Sequence, residues 1–143
     1  MRSLAREAVF KFLFSQLFNQ DDEGLFTVLC KELSDSDKTF AKELLNSVHN
    51  GKDKYLSRIE DLSIGYKLNR LYNVDKCALM LGMAELDNFS NTPIAVVIDE
   101  TVNIVAKYST ENSTDFVNGI LAEYVKEKNN DYFISVSILL KRI

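Results

Sequence analysis

A chain of 143 residues fits a single domain, and its hydrophobic content of 46% and charged content of 27% are typical of a folded protein. One proline and five glycines are too few for the many turns of a β-sandwich or barrel, so the composition favours helices. The net charge of -4 argues against binding nucleic acid by bulk attraction alone, although it allows a local basic patch or a basic partner.

The first predicted helix carries apolar residues on two sides. Such a helix is expected to be largely buried and to connect two packing layers. Its two stripes are Leu4, Ala5, Ala8, Val9, Phe12 and Leu13 on one side, and Phe10, Phe14, Leu17 and Phe18 on the other. The segment from Asp21 to Gly24 breaks the pattern, and the apolar residues between Leu25 and Leu33 predict a short second helix.

The third helix has N-cap candidates in the cluster from Ser34 to Asp37. Its predicted core face repeats at spacings of three and four and consists of Phe40, Ala41, Leu44, Leu45 and Val48. Because Asn50 and Gly51 tolerate positive φ, we predict that they end this helix. A fourth helix that closes near Gly65 is predicted from Tyr55, Leu56, Ile59 and Leu62.

Two further helices are predicted on either side of Pro93, the only proline. The apolar residues that predict the fifth helix are Leu68, Leu71, Tyr72, Val74, Ala78, Leu79, Leu81, Gly82, Met83 and Leu86. In the sixth helix we expect Thr92 to be the cap and Pro93 to take the first helical position, where its missing N–H costs nothing. Its predicted inward residues are Ile94, Val97, Ile98, Thr101, Ile104, Val105 and Tyr108.

A seventh helix is predicted to begin near Ser113. Its expected inner face consists of Phe116, Val117, Ile120, Leu121 and Tyr124. Asn118-Gly119 often indicates a hairpin turn, but the flanking residues keep the helical period, so we place Gly119 inside the helix at a close helix–helix contact. Residues 1–128 are therefore expected to form one all-α bundle of seven helices. The tail, 129–143, alternates partly like a strand, and it is expected to cover the bundle, to add a short strand or helix, or to mediate self-association.

Residue types that usually carry catalysis or bind metals are few and scattered. Cys30 and Cys77 lie in apolar segments, as expected of buried free thiols in a reducing compartment. His49, the only histidine, is expected to have a local role near a helix end. Neither zinc-ligand spacing nor a phosphate-binding glycine motif occurs. We therefore expect no enzyme activity, no cofactor and no metal. Since no signal peptide or long apolar span is visible, we expect a cytoplasmic protein.

The N-terminus holds the basic group that suggests nucleic acid. Arg2 and Arg6 are four residues apart on one helix face, and Lys11 lies just beyond them. Phe10 or Phe14, where partly exposed, would stack on an RNA base. The plainer alternative is that the cations form a solvated helix face and that the phenylalanines belong to the core.

Three stretches resemble the NusB family, and together they cover roughly residues 2 to 127. The first is Ala5-Arg6-Glu7-Ala8-Val9 followed by Leu13-Phe14-Ser15, and the second runs from Val74-Asp75-Lys76 through Ala84-Glu85-Leu86. The most specific begins with Pro93-Ile94-Ala95-Val96-Val97-Ile98-Asp99-Glu100 and continues with Ala106-Lys107-Tyr108, Ser113 and Phe116-Val117-Asn118-Gly119-Ile120-Leu121.

This resemblance implies an all-α fold of two small helical subdomains and a role in transcription antitermination. A family member would bind the boxA element of nascent RNA together with NusE, which is also a ribosomal protein of the small subunit. That complex would help RNA polymerase to pass terminators during ribosomal RNA synthesis. From the residues and the resemblance together, the expected RNA-binding residues are Arg2, Arg6, Lys11 and Phe14. The residues expected at an RNA or partner surface are Asp75, Lys76 and Asn112.

The sequence departs from the NusB pattern at several basic positions. Ser3 and Leu4 stand where the family is often basic, Phe14 where tyrosine is common, and Met80 where arginine is common. Together with the net charge of -4, these departures predict that useful RNA binding needs the basic partner. Two alternatives stay open: a protein-interaction module with little RNA binding, and a stand-alone relative of the N-terminal RNA-binding domain of ribosomal RNA cytosine methyltransferases.

Overall fold

The computed structural model describes residues 2–18, 23–63 and 71–141, with the backbone alone for 23 and 131–137. These residues form six helices: α1 (Ser3–Gln16), α2 (Glu23–Leu29), α3 (Asp35–Leu62), α4 (Asn73–Asn88), α5 (Ile94–Tyr108) and α6 (Glu111–Lys141). No strand occurs in this part of the chain, and the all-α prediction is confirmed. The predicted boundaries at Gly65 and Leu68 lie outside the described residues.

Helix α4 lies at the centre of the bundle. It packs against α1, α3, α5 and α6. Every residue from Cys77 to Glu85 is buried, as expected of a helix covered all round. An added Cβ at Gly82 would lie 2.9 Å from Thr101 Oγ1 and 3.2 Å from Leu121 Cδ1. Gly82 therefore allows α5 and α6 to approach α4 closely.

Helix α3 continues through Asn50 and Gly51, so the prediction that these residues end a helix is wrong. The predicted third and fourth helices are one helix of 28 residues. The reason lies in the packing of Tyr55, which is 3% exposed. An added Cβ at Gly51 would lie 2.5 Å from Tyr55 Cε2, so the missing side chain makes room for the ring one turn further on. This packing outweighs the cost of a glycine inside a helix, which is about 1 kcal/mol relative to alanine.

The helix starts lie close to their predicted positions. Ser34 Oγ accepts a hydrogen bond of 3.2 Å from the backbone N–H of Asp37, which confirms the predicted cap of α3. Pro93 has the extended ψ of 141° of a cap residue, and its carbonyl accepts from the N–H of Val97 at 3.1 Å. Pro93 is thus the N-cap in place of the predicted Thr92, and the first helical residue is Ile94 rather than Pro93. Helix α6 begins at Glu111 rather than near Ser113.

Most predicted core residues are buried, and the exceptions lie near helix ends. The core of α3 (Phe40, Ala41, Leu44, Leu45 and Val48) is buried as predicted. Predicted inward residues that are exposed instead are Leu4, Leu17, Phe18, Ile94 and Tyr108. They occupy the first or last turn of α1 or α5, or follow directly after it. At helix ends fewer neighbouring helices cover an apolar stripe, so its residues are more exposed there than in the middle of the helix.

Gly119 lies inside α6, as predicted, but the close contact expected there does not exist. It is exposed, and an added Cβ would meet nothing within 4 Å. Helix α6 then continues to Lys141, so that the backbone of residues 129–141 is helical. Ile138, Leu139 and Leu140 on this extension are 50%, 61% and 64% exposed. None of the described helices is long and apolar enough to cross a membrane.

Asp87, near the end of α4, joins three helices by polar contacts. Its carboxylate accepts hydrogen bonds from the Tyr124 hydroxyl at 2.7 Å, from Lys54 Nζ at 3.1 Å and from Lys128 Nζ. Burial acts to raise the pKa of Asp87, but the hydrogen bonds from Lys128, Tyr124 and Lys54 together lower it by more. The pKa of Asp87 therefore lies below its ordinary value. Burial and the nearby Asp87 carboxylate together raise the pKa of Tyr55 to about 12, so this tyrosine stays neutral.

Candidate nucleic-acid interface

The start of α1 places an exposed guanidinium over an aromatic ring. The Arg2 Cζ atom lies 4.5 Å from the centroid of the Phe40 ring on α3, a distance typical of a cation–π contact. Phe40 is 3% exposed and packs edge-on against Phe89, with the ring centroids 5.1 Å apart. Arg2 forms no ion pair with any described residue. The contact with Phe40 therefore positions an exposed positive charge at the surface.

Arg2 borders a cavity of about 430 Å³ between the start of α3 and the connection from α4 to α5. Besides Arg2, Phe40 and Phe89, its lining is polar and consists of Ser36, Thr39, Glu43, Asn88, Ser90, Asn91 and Thr92. Hydroxyl, amide and guanidinium groups are those that contact phosphates, riboses and base edges in RNA complexes. The cavity therefore combines the Arg2 cation and the Glu43 carboxylate with neutral hydrogen-bonding groups of the kinds that contact nucleotides.

Arg6 is buried beneath this surface. It donates from Nε and Nη2 to the two carboxylate oxygens of Glu85, each at 2.7 Å, and Nη1 lies 3.8 Å from Glu100 Oε2. Burial alone would lower the pKa of Arg6, but the hydrogen bond and charge of Glu85, together with Glu100, raise it. The side chains of Arg6 and Glu85 are 5% and 1% exposed. Arg6 thus holds α1 against α4 and does not reach the surface.

Lys11 and Phe14 lie further along α1, beside the end of α5. Lys11 Nζ is 3.9 Å from Glu7 Oε1, which also accepts from Lys107 Nζ at 2.7 Å and from the Tyr108 hydroxyl. Burial raises the pKa of Glu7, but its hydrogen bonds with Lys107 and Tyr108 and the charges of Lys107 and Lys11 lower it below the ordinary value. Lys11 is 47% exposed, so it is the second accessible cation of α1.

An aromatic ladder runs along the same side of α1. The Tyr108 ring stacks on Phe10 at 5.4 Å, Phe10 lies 6.3 Å from Phe14, and Phe14 lies 5.2 Å from Phe18. Phe14 is half-buried between its neighbours, whereas Phe18 is 65% and Tyr108 is 37% exposed. The open ring surfaces of the ladder therefore belong mainly to its two ends.

A second polar cluster surrounds Asp75 at the start of α4. The Asp75 carboxylate is buried and accepts from Ser109 Oγ at 2.9 Å and from Ser113 Oγ at 2.8 Å. These bonds fix the junction of α5 with α6, and the exposed Asn112 lies in the first turn of α6. Asn112 lines a cavity of about 380 Å³ with Tyr72, which is 60% exposed. Lys76 is half-buried.

The predicted site residues thus fall into two groups. One lies along α1 and consists of Arg2, Arg6, Lys11 and Phe14. The other lies around the starts of α4 and α6 and consists of Asp75, Lys76 and Asn112. Asp75 and Glu85 are ten residues apart on α4, or about 15 Å along the helix axis, so the Asp75 cluster lies well away from Arg6. The end of α5 connects the two groups, because Tyr108 stacks on Phe10 while the next residue, Ser109, binds Asp75.

Residues 2–126 match the sequence profile of the NusB family. This chain belongs to the NusB family. The transcription antitermination protein NusB of Methylacidiphilum infernorum (isolate V4) is 34% identical over 139 residues, which cover 94% of this chain and 96% of that protein. NusB of T. maritima superimposes with a TM-score of 0.83 at 34% identity, covering 89% of this chain and 92% of that chain. A crystal structure of the antitermination factors NusB and NusE in complex with double-stranded RNA matches with a TM-score of 0.78 at 28% identity. The match covers 88% of this chain and 96% of that chain.

In this NusB-family chain, the sequence did not predict the contact of Arg2 with the buried Phe40 ring or the exposure of Tyr108. Helical periodicity assigned both to the core. Nothing in the local sequence shows that Arg2 covers Phe40, because the two residues are brought together only by the packing of α1 on α3. For Tyr108, its position as the last residue of α5 was the available indication of exposure.

Proposed function

We propose that this chain is a transcription antitermination factor that binds boxA-type RNA together with NusE and so supports ribosomal RNA transcription by RNA polymerase. The observation that carries the proposal is the exposed Arg2 guanidinium, fixed over Phe40 beside a polar cavity, in a chain of the NusB family. Its relatives are named transcription antitermination proteins, and a NusB has been crystallised with NusE and double-stranded RNA. Such a role places the protein in the cytoplasm.

In this proposal the direct RNA contacts come from Arg2, Lys11 and the aromatic ladder. Arg2 and Lys11 are the accessible cations of α1, and each is a suitable partner for a backbone phosphate. Phe14 supports the ladder from within, and Phe18 at its end offers an open ring on which a base can stack.

Arg6 has a positioning role in the same proposal. Reaching RNA would require it to leave the bidentate contact with Glu85, and this would leave a carboxylate that is 1% exposed without its partner. Arg6 instead fixes the angle of α1 on α4, and that angle places Arg2 over Phe40.

We assign the Asp75 cluster to the NusE contact. Buried Asp75 orders the start of α6, which carries Asn112, and exposed Tyr72 adds an amphipathic ring of the kind enriched at protein interfaces. Lys76 lies next to Asp75 at the same end of α4. Of the predicted partner residues, Asp75 is buried and supports the surface from within. In this proposal Lys76, which is half-buried, and Asn112, which is exposed, contact the partner.

RNA affinity measured with and without NusE tests the proposal. A boxA-type oligonucleotide is titrated at about 0.15 M salt with the chain alone and with saturating NusE, and we expect NusE to tighten binding by about 5- to 150-fold. Because the proposed RNA surface supplies two cations, Arg2 and Lys11, the slope of log K against log salt should be shallow, and Arg2→Ala should reduce its magnitude by about 0.7. Lys126→Ala on the exposed face of α6 is the matched control and should leave the slope unchanged.

Two results would contradict this assignment. Equal RNA affinities with and without NusE would exclude the cooperative complex, and an unchanged salt slope in Arg2→Ala would place the RNA elsewhere. The second candidate function is a protein-interaction module with little RNA binding. It is favoured by the burial of Arg6 in an ion pair with Glu85, which removes one cation from the surface. It predicts that NusE binds with the same affinity whether or not RNA is present.

A further inference from the structure

A groove on the other side of α1 has no role in the proposed function. It lies between α1, α2 and the first half of α3 and has a volume of about 690 Å³. Its floor is apolar and is formed by Phe12, Phe26, Cys30 and Leu45. None of its lining residues belongs to the RNA or NusE surfaces assigned above.

The rim of the groove is basic. Lys31, Lys38 and Lys42 line it, all three are exposed, and none forms an ion pair with a described residue. No acidic residue occurs among the described residues of the lining, although the whole chain has a net charge of -4. Burial and the charge of Lys52 both lower the pKa of His49, so the positive charge of the groove at neutral pH comes from the lysines. This charge is complementary to an acidic ligand.

The groove has the length of a short helix. Its wall on α3 extends from Lys38 to His49, which is 11 residues or about 16 Å along the axis. His49 Nε2 and Gln16 Oε1 lie 3.0 Å apart and join α3 to α1 at this end. A length of about 16 Å holds about three turns of a second helix, which is the usual geometry of an amphipathic helix bound in a groove.

The lining disfavours two other ligand classes. Phe12 is 5% exposed and packs against Phe26 with ring centroids 5.2 Å apart, so it offers no open face on which an RNA base could stack. Gln16 and Asn46 line the same groove, and a hydrocarbon chain would offer no hydrogen-bond partner to the Asn46 amide that it covers. A peptide has both the apolar and the polar side chains that this surface matches.

We propose that this groove binds an acidic amphipathic helix of a partner protein. The apolar face of the helix lies on Phe26, Cys30 and Leu45, and its flanking Asp or Glu side chains meet the rim lysines. The proposal is independent of RNA and NusE binding, because it uses different residues.

Binding of two matched synthetic peptides tests the proposal. Each is roughly 14 residues long, enough for about 21 Å of helix, and carries leucines at spacings of three and four. One carries glutamates at the flanking positions, and the other carries lysines there. We expect the acidic peptide to bind the full-length protein saturably and the lysine peptide to bind at least tenfold more weakly. We expect the double substitution Lys38→Glu with Lys42→Glu to weaken the binding of the acidic peptide by about tenfold. The control pair, Lys126→Glu with Lys141→Glu on α6, makes the same change in net charge.

Alkylation of the two cysteines locates the bound peptide. Cys30 is 6% exposed in the groove floor, and Cys77 is 0% exposed in the core. The acidic peptide should slow the reaction of Cys30 with iodoacetamide and leave that of Cys77 unchanged. Circular dichroism confirms that each variant is folded.

Several outcomes would overturn the proposal. These are no saturable binding of the acidic peptide up to about 1 mM, equal weakening by both charge-reversal pairs, and binding that leaves Cys30 unprotected. Protection of Cys30 by a single-stranded RNA or by dodecanoate, without protection by the acidic peptide, would show a nucleic-acid or fatty-acid site instead.

Discussion

Replacing Arg6 with methionine tests the buried ion pair that fixes α1. The change removes the charge and keeps much of the apolar stem. The Arg6 and Glu85 side chains are 5% and 1% exposed, and two N–H···O bonds of 2.7 Å join them. Because the variant leaves the Glu85 carboxylate buried without this partner, we expect it to lose about 3–5 kcal/mol of unfolding free energy. This is a large part of the total of about 5–15 kcal/mol that is typical of a domain.

Two further variants distinguish the contribution of the Arg6–Glu85 pair to stability from that of neighbouring Glu100. Glu100→Gln changes a partner that lies 3.8 Å from Arg6 and is 23% exposed, and it should cost less than about 1 kcal/mol. The double variant Arg6→Met with Glu85→Leu removes both charges, so it should recover most of the loss caused by Arg6→Met. Urea unfolding followed by helical circular dichroism at pH 7 measures all three.

The double variant also separates positioning from RNA contact. The apolar side chains of the double variant still pack α1 on α4, so a double variant of recovered stability should bind RNA and NusE with affinities unchanged within about 0.5 kcal/mol. A tenfold loss of RNA affinity in this stable variant would show that Arg6 itself contacts RNA. A loss below about 1 kcal/mol of stability in Arg6→Met would refute the buried-pair reasoning altogether.

Three other substitutions follow from the packing. Gly119→Ala should raise the unfolding free energy by up to about 1 kcal/mol, because the site is helical and open. Gly82→Ala should lower it by about 1–3 kcal/mol, because the new methyl group meets Thr101 at 2.9 Å; equal effects of the two changes in urea unfolding would contradict this contrast. Since the pKa of Asp87 is lowered on folding, its contribution is complete above the unfolded pKa of about 3.9 and is lost as the pH falls through the folded value. Asp87→Asn should therefore be less stable than the parent at pH 7, and the difference should shrink as the pH falls below about 3.9. A difference that stays constant with pH would exclude Asp87 as the titrating group.

The sequence by itself determined the elements and most of the core. The spacing of Phe40, Leu44 and Val48 identified the buried face of α3, because one side of a helix must be covered and this side repeats with the helical period. The cap at Ser34 was visible because capping depends on a few adjacent residues. Gly119 was correctly placed inside a helix for the same local reason, since its flanks keep the period.

Only the tertiary structure decided which side chains are accessible and which helix continues. Arg6 and Glu85 are 79 residues apart, so no local pattern distinguishes this buried arginine from exposed Arg2. The continuity of α3 at Gly51 depends on the Tyr55 ring that packs over it. Periodicity states which side of a helix is apolar, but burial and ion pairing depend on what the other helices place against that side. The candidate site was therefore visible as a list of residue types, and its division into surface contacts and internal supports came from packing.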